Sequence, residues 1–129
     1  MKIKENKPPR AFRVAPDSSV HIKDCAHIEL DADEQITLVT PSGTEYDIAR
    51  KNWGYYATPS LNARLKNFNL RAALIKNTKS GKYNIFLLEK GKETEFEAYL
   101  RLEALVVLYW LDSDEALAKL ERCIAGMAS

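Results

Sequence analysis

Cationic, amide and aromatic side chains crowd one stretch around a chain reversal, Arg50-Lys51-Asn52-Trp53-Gly54-Tyr55-Tyr56-Ala57-Thr58-Pro59-Ser60-Leu61-Asn62-Ala63-Arg64. Guanidinium and ammonium groups attract phosphate or carboxylate, and aromatic faces stack on a base or sugar ring. Free N–H groups at a helix start near Ser60 would cradle an anion. Arg50, Trp53, Tyr55, Tyr56, Asn62 and Arg64 are therefore the candidate ligand-binding residues. Gly54 for the bend, Pro59 for a helix start and aromatics packed at a junction account for most of these letters structurally. Arg50, Asn62 and Arg64 have no such evident job.

Other residue sets carry side chains of the types used in catalysis and metal binding. His21, Cys25, His27, Glu29 and Asp31 share odd positions and offer zinc or iron ligand types, but their spacing fits no zinc pattern. The aliphatics occupy the even positions, so the polar set is expected to face solvent. Cys25 and His27, as i and i+2 neighbours on a strand, sit too far apart for a good S···N hydrogen bond. Cys123 belongs near an apolar helical stripe. Glu93, Glu95 and Glu97 suit a helix start, where the macrodipole favours negative charge. Gly43, Gly54, Gly81 and Gly91 are isolated turn glycines, and no phosphate-binding glycine motif occurs. No cofactor or metal is expected. An enzyme would need an acid or base beside the aromatic cluster, for which Asp47, Glu45 and His27 are the candidates.

The net charge of +1 conceals blocks of opposite sign. Residues 1–16 carry +4, 17–47 carry −7, 48–88 hold eight bases and no acid, and 89–129 carry −4. In the basic block, Arg50, Lys51, Arg64, Lys66, Arg71, Lys76, Lys79 and Lys82 alternate with aromatic residues. One reading is a site for a small anionic ring. The other is internal pairing of basic strands with the acidic segments on either side. The acidic flanks would repel a long polyanion, which argues against nucleic acid.

The elements that must position these groups follow from periodicity. Residues 1–19, with Pro8, Pro9 and Pro16, predict an extended arm able to add an edge strand. Residues 20–51 predict an antiparallel meander: an alternating half-buried strand from Val20, or two short ones broken at Asp24, an acidic turn at 32–34, a strand over 35–40, a turn at Pro41-Ser42-Gly43, and a strand over 44–51 with Tyr46 and Ile48 inward and Asp47 outward. Over 52–69 a turn and short helix are expected, with Thr58 as N-cap, Pro59 at the first helical position, and Leu61, Leu65 and Phe68 on one face. Residues 70–129 predict β-β-α-β-α. A core hairpin spans 70–76 and 82–89, covered on both faces. A capping box at Thr94-x-x-Glu97 opens a helix, a buried strand spans 104–111, and a second box at Asp112-x-x-Glu115 opens a last helix packed on the sheet.

The fold class is thus α+β, an N-terminal antiparallel β meander followed by a β-β-α-β-α unit, in one mixed sheet with helices packed on it. An N-terminal barrel-like layer joined to an α/β layer is the alternative topology. At 129 residues, 46% hydrophobic and 29% charged, the chain has the size and composition of a single folded domain, 1–129. Its longest apolar run, Ala104 to Leu111, is less than half of the roughly 18–20 residues needed to cross a bilayer. Basic residues 1–13 are not followed by the apolar segment of a secretory signal, and two distant cysteines make no disulfide framework, so a cytoplasmic location with reduced thiols is expected.

The segments EYDIARKNWGYYATPSLNARL at 45–65, LLEKGKETEFEAYL at 87–100 and VVLYWLD at 106–112 resemble a family of small bacterial proteins associated with surface-glycan and nonulosonic-acid sugar gene clusters. The resemblance covers about two-thirds of the chain. It implies a glycan-biosynthetic setting and transfers no catalytic residue. The sequence therefore reads as a non-enzymatic accessory or binding protein for an anionic sugar or sugar-nucleotide group. The alternatives are a small enzyme acting on such sugars, or an interaction subunit that docks a biosynthetic enzyme through exposed aromatics.

Overall fold

The computed structural model describes residues 1–16 and 18–127; Asp17 of the predicted arm and residues 128–129 lie outside that description. It is an α+β protein with eight strands, all in antiparallel sheets, and three helices among the described residues. The strands fall into three sheets rather than one, a two-stranded β1-β2 and two three-stranded sheets of order β3-β4-β5 and β7-β6-β8. Close turns between successive strands explain the division: most strands pair with a neighbour in sequence. The chain partitions into two compact units, residues 1–36 with 48–56 and residues 37–47 with 57–129.

In the first unit β1 (Lys2–Arg13) pairs antiparallel with β2 (His21–Glu29), so the predicted arm is a full strand. Ile3 stands opposite Ile28 and Phe12 opposite Ile22, with a register break between Glu5 and Arg10 where Pro8 and Pro9 remove ladder donors. The predicted alternation therefore holds in register. Yet the isoleucines of the ribbon are not buried, since Ile3 is 56%, Ile22 45% and Ile28 41% exposed. Among the described residues of this unit, burial is confined to Leu30 and Ala49. Asp33, at φ 69°, turns the chain, and its N–H donates to the Arg50 carbonyl while the Arg50 N–H donates to that of Glu34.

β3 (Gln35–Val39), β4 (Glu45–Lys51) and β5 (Gly54–Ala57) form the middle sheet. The turn at 41–43 is as predicted, closed by Thr40 N–H to the Thr44 carbonyl at 2.9 Å, with Gly43 at φ +92°. Two expectations change. Residues 54–57 are a strand, not part of a turn, and Asp47 points inward at 4% exposure because Thr37 and Arg64 satisfy its carboxylate.

In the second unit the helix α1 (Arg64–Asn67) begins later than the Thr58-Pro59 signal implied. The Thr58 N–H donates to the Asp47 carbonyl, which holds the backbone extended there, and Ser60 instead accepts from Arg64 N–H through Oγ and from Leu65 N–H through its carbonyl. Leu65 is fully buried and packs with Leu70 and Ala72, joined by Tyr46, Leu87 and Leu111.

β6 (Leu70–Asn77) is the central strand, flanked by β7 (Tyr83–Glu89) and β8 (Leu105–Trp110), both antiparallel to it. β6 is covered on both faces, with Ala72, Ala73 and Ile75 at 1% exposure or less. As edge strands, β7 and β8 are more open than their apolar composition predicted, leaving Tyr83, Ile85, Val106 and Leu108 exposed. α2 (Glu93–Leu102) covers one face through Phe96, 6.4 Å from Phe86 and 6.2 Å from Trp110 between ring centroids. Its start comes one residue before Thr94, at Glu93, whose carboxylate accepts the Gly91 N–H, so the expected box is not formed there.

α3 (Asp114–Met127) is started by Ser113, whose Oγ accepts the Ala116 N–H, because Asp112 is already committed to Arg71. Tyr109 OH donates to the Ala116 carbonyl and fixes the first turn. Beyond Leu120 the helix leaves the sheet, with Ile124 57% and Met127 82% exposed.

Candidate functional site

The turn from β4 into β5 runs through Asn52 and Trp53, with Gly54 at φ +145°. A conformation that L side chains rarely adopt explains the glycine. Alternation along β5 sends Tyr55 and Tyr56 to opposite faces. Tyr56 meets Trp53 in a stack with centroids 6.2 Å apart and an interplanar angle of 25°. Trp53 is 69%, Tyr55 63% and Tyr56 47% exposed, so the aromatics of this turn lie at the surface rather than in a core or an enclosed cleft. The Trp53–Tyr56 pair thus presents stacked aromatic rings to solvent.

Lys51 borders this face and is ion-paired with Asp33. Its ammonium pKa is raised, first by the Asp33 hydrogen bond, then by Asp33's charge, with a smaller contribution from nearby Tyr56. Arg50 has a structural partner after all: Nη1 donates to the Leu30 carbonyl at 2.8 Å.

The other two candidates belong to the second unit and are engaged as well. Asn62 Nδ2 donates to Asp114 Oδ1 at 2.7 Å, and Arg64 Nη2 donates to Asp47 Oδ2 at 3.1 Å while lying 5.1 Å from the Phe68 ring centroid. All three residues that lacked an evident role in the sequence thus have one. Arg64–Asp47, Lys51–Asp33 and Arg71–Asp112 each join the basic block to an acidic flank, the pairing reading of the charge layout.

The acid–base candidates are dispersed. Asp47 accepts Thr37 Oγ1 at 2.6 Å as well as Arg64, Glu45 is exposed, and His27 lines a shallow depression on the β1-β2 ribbon with Lys2, Ile3, Lys4, Ile28 and Glu29. His21, Cys25, His27, Glu29 and Asp31 are exposed, and among the described residues no three histidine, cysteine or acidic side chains gather as a metal site. Cys123 is exposed rather than packed. Glu93's carboxyl is held below its ordinary value by backbone N–H groups, its own first and then Gly91's.

No family model, curated protein or solved structure matches the chain.

Two polar clusters went unnoticed in the sequence. Glu89 accepts hydroxyl hydrogen bonds from Thr40, Ser42 and Thr44, which lower its pKa, Ser42 first and Thr44 next. Arg71 lies 3.9 Å over the Trp110 ring and donates Nε–H to Asp112 at 2.7 Å. A lone arginine within the apolar run 70–75 was the available signal for the second. The hydroxyls of Thr40-Pro41-Ser42-Gly43-Thr44 read as ordinary turn residues and gave none for the first.

Proposed function

We propose that this chain is a non-enzymatic binding protein whose Trp53–Tyr56 face receives the ring of an anionic sugar, or the base of its nucleotide derivative, in bacterial surface-glycan biosynthesis. The exposed, nearly parallel aromatic pair carries the reading. An aromatic face of this kind stacks on a base for about 1–3 kcal/mol. Lys51 supplies the complement for a carboxylate or phosphate. Its pair with Asp33 is at the surface, where ion pairs contribute little, so the ammonium can turn to a ligand at small cost. Arg50, Asn62 and Arg64, held in internal hydrogen bonds, are left out of the proposed ligand contacts.

An open face encloses little of its ligand, which sets affinity in the weak range, about 0.1–1 mM. Saturation-transfer NMR suits that range. Magnetisation should pass from the protein to a nonulosonic acid or its nucleotide derivative, and the transfer should be lost in Trp53→Ala and reduced in Tyr56→Phe no more than modestly. Equal transfer in wild type and Trp53→Ala would overturn the reading. The same exposed aromatics also suit docking onto a biosynthetic enzyme; co-purification abolished by Trp53→Ala, with no sugar binding, would favour that alternative.

A further inference from the structure

We propose that a second copy of this chain pairs with it along the open edge of β2, joining two β1-β2 ribbons into one four-stranded antiparallel sheet of order β1-β2-β2-β1. The starting point is that the ribbon has only two strands and carries exposed isoleucines. A two-stranded hairpin is marginal in water, and three or more strands are needed for independent stability.

The two edges of the ribbon are not equivalent. β1 contains Pro8 and Pro9, which lack the N–H a neighbouring strand requires, a register break between Glu5 and Arg10, and the cations Lys2, Lys4, Lys7, Arg10 and Arg13. Prolines, irregularities and lysines are the features that protect an edge from pairing. β2 has no proline and runs unbroken through nine residues, HIKDCAHIE. Asn6 Nδ2, from β1, donates to the Asp24 carbonyl at 2.9 Å, so that carbonyl faces β1. By alternation the N–H and C=O groups of Lys23, Cys25 and His27 face the open edge.

The sequence of β2 is self-complementary about Cys25. In antiparallel pairing with a two-fold axis at Cys25, Ile22 stands opposite Ile28 of the second copy, and His21 opposite its Glu29, each contact occurring twice. Directly opposed residues share a face, so apolar meets apolar and imidazole meets carboxylate. Lys23 faces the other His27, and Asp24 faces the other Ala26. Sliding by two residues one way would oppose Asp24 to itself, and the other way would oppose it to Ile28. A one-residue slip would put isoleucines against the polar face. The pairing is isologous and closes at two copies.

The occupant is therefore a second copy, and the exposed cysteines test it because they mark different surfaces. On α3, Leu117, Leu120, Ile124 and Met127 recur at intervals of three and four, the other face on which two copies could meet, and Cys123 lies beside it. Full-length Cys123→Ser and Cys25→Ser proteins would be treated with a short bis-maleimide at micromolar concentration, alongside light scattering of the untreated chain.

A dimer in solution is expected, with efficient cross-linking through Cys25 alone, and light scattering should show the dimer lost in a Cys25→Lys variant, which sets two ammonium groups opposite each other on an exposed face. A monomer throughout, or a dimer that cross-links only through Cys123, overturns it. Ile22→Ala gives a second handle, with a several-fold weaker dimer expected and an unchanged far-ultraviolet circular dichroism spectrum confirming the fold.

Discussion

The two units spend the same residue types differently. In the second, apolar side chains of β6 and α1 form a buried core, Leu65, Ala72 and Ala73 at 0% exposure, even though Tyr83, Ile85, Val106 and Leu108 on the edge strands stay open, and inward polar groups such as Asp47 and Asp112 have charged partners. In the first, isoleucines and aromatics of β1, β2 and the β4–β5 turn remain open, and Leu30 and Ala49 alone are buried among the described residues. Burial concentrates stability where sheet and helices overlap. Side chains kept at the surface of the other unit cost that stability and are available for contact. The second unit is the scaffold, and the first carries the surfaces proposed for ligand and second copy.

The comparison is most sharply tested by truncating an equivalent amount of side chain in each unit. Leu65→Ala should cost about 2–5 kcal/mol in urea unfolding, because the cavity left at a fully buried site cannot refill with water. Ile22→Ala, at 45% exposure, should cost less than about 1 kcal/mol at concentrations where the chain is monomeric. Equal losses would erase the distinction.

Next in size is Arg71→Ala, which leaves the buried Asp112 carboxylate without its guanidinium and removes the stack on Trp110; about 2–3 kcal/mol is expected. Arg71→Lys should recover little of this in the same unfolding assay, since an ammonium cannot reproduce both the planar stack and the Nε–H bond.

Glu89 yields a pH signature. Hydroxyls of Ser42, Thr44 and Thr40 lower its pKa in the folded chain, so the stabilisation is complete above the ordinary glutamate range and is lost as pH falls through the lowered value. Thermal melts of wild type and Glu89→Gln should differ most at neutral pH and converge in acid. A gap that widened in acid would contradict the assignment.

The smallest effect on stability belongs to Trp53→Ala. At 69% exposure its loss should change unfolding by no more than about 0.5 kcal/mol while removing binding. This variant separates the ligand surface from the scaffold.

Much of this architecture was legible in the sequence. Alternation in 20–31, the turn at 41–43, the hairpin over 70–89 and the amphipathic last helix all appear, and they suffice for the α+β class. What sequence pattern could not resolve was competition for partners. Asp112 looks like a cap, but its carboxylate is taken by Arg71; Thr58 looks like a cap, but its N–H bond to the Asp47 carbonyl keeps the chain extended there and its Oγ1 is buried without a partner among the described residues. Period-two patterning also says which side chains share a face without saying whether anything covers it, so Ile22, Ile28, Val106 and Leu108 read as more buried than they are. The same limit applies to the stretch 50–64. Its letters announced aromatics and cations together, whereas the fold assigns Arg50, Asn62 and Arg64 to internal hydrogen bonds and leaves the aromatics open.

The proposed recognition surface is the aromatic face of the β4–β5 turn. Backbone amide shifts followed during titration of the ¹⁵N-labelled chain with a nonulosonic acid and its nucleotide derivative test it most directly. Saturable shifts centred on residues 51–56, with the indole N–H of Trp53 among the largest, are the predicted result. Shifts confined to residues outside that turn, or none at millimolar ligand, would contradict it.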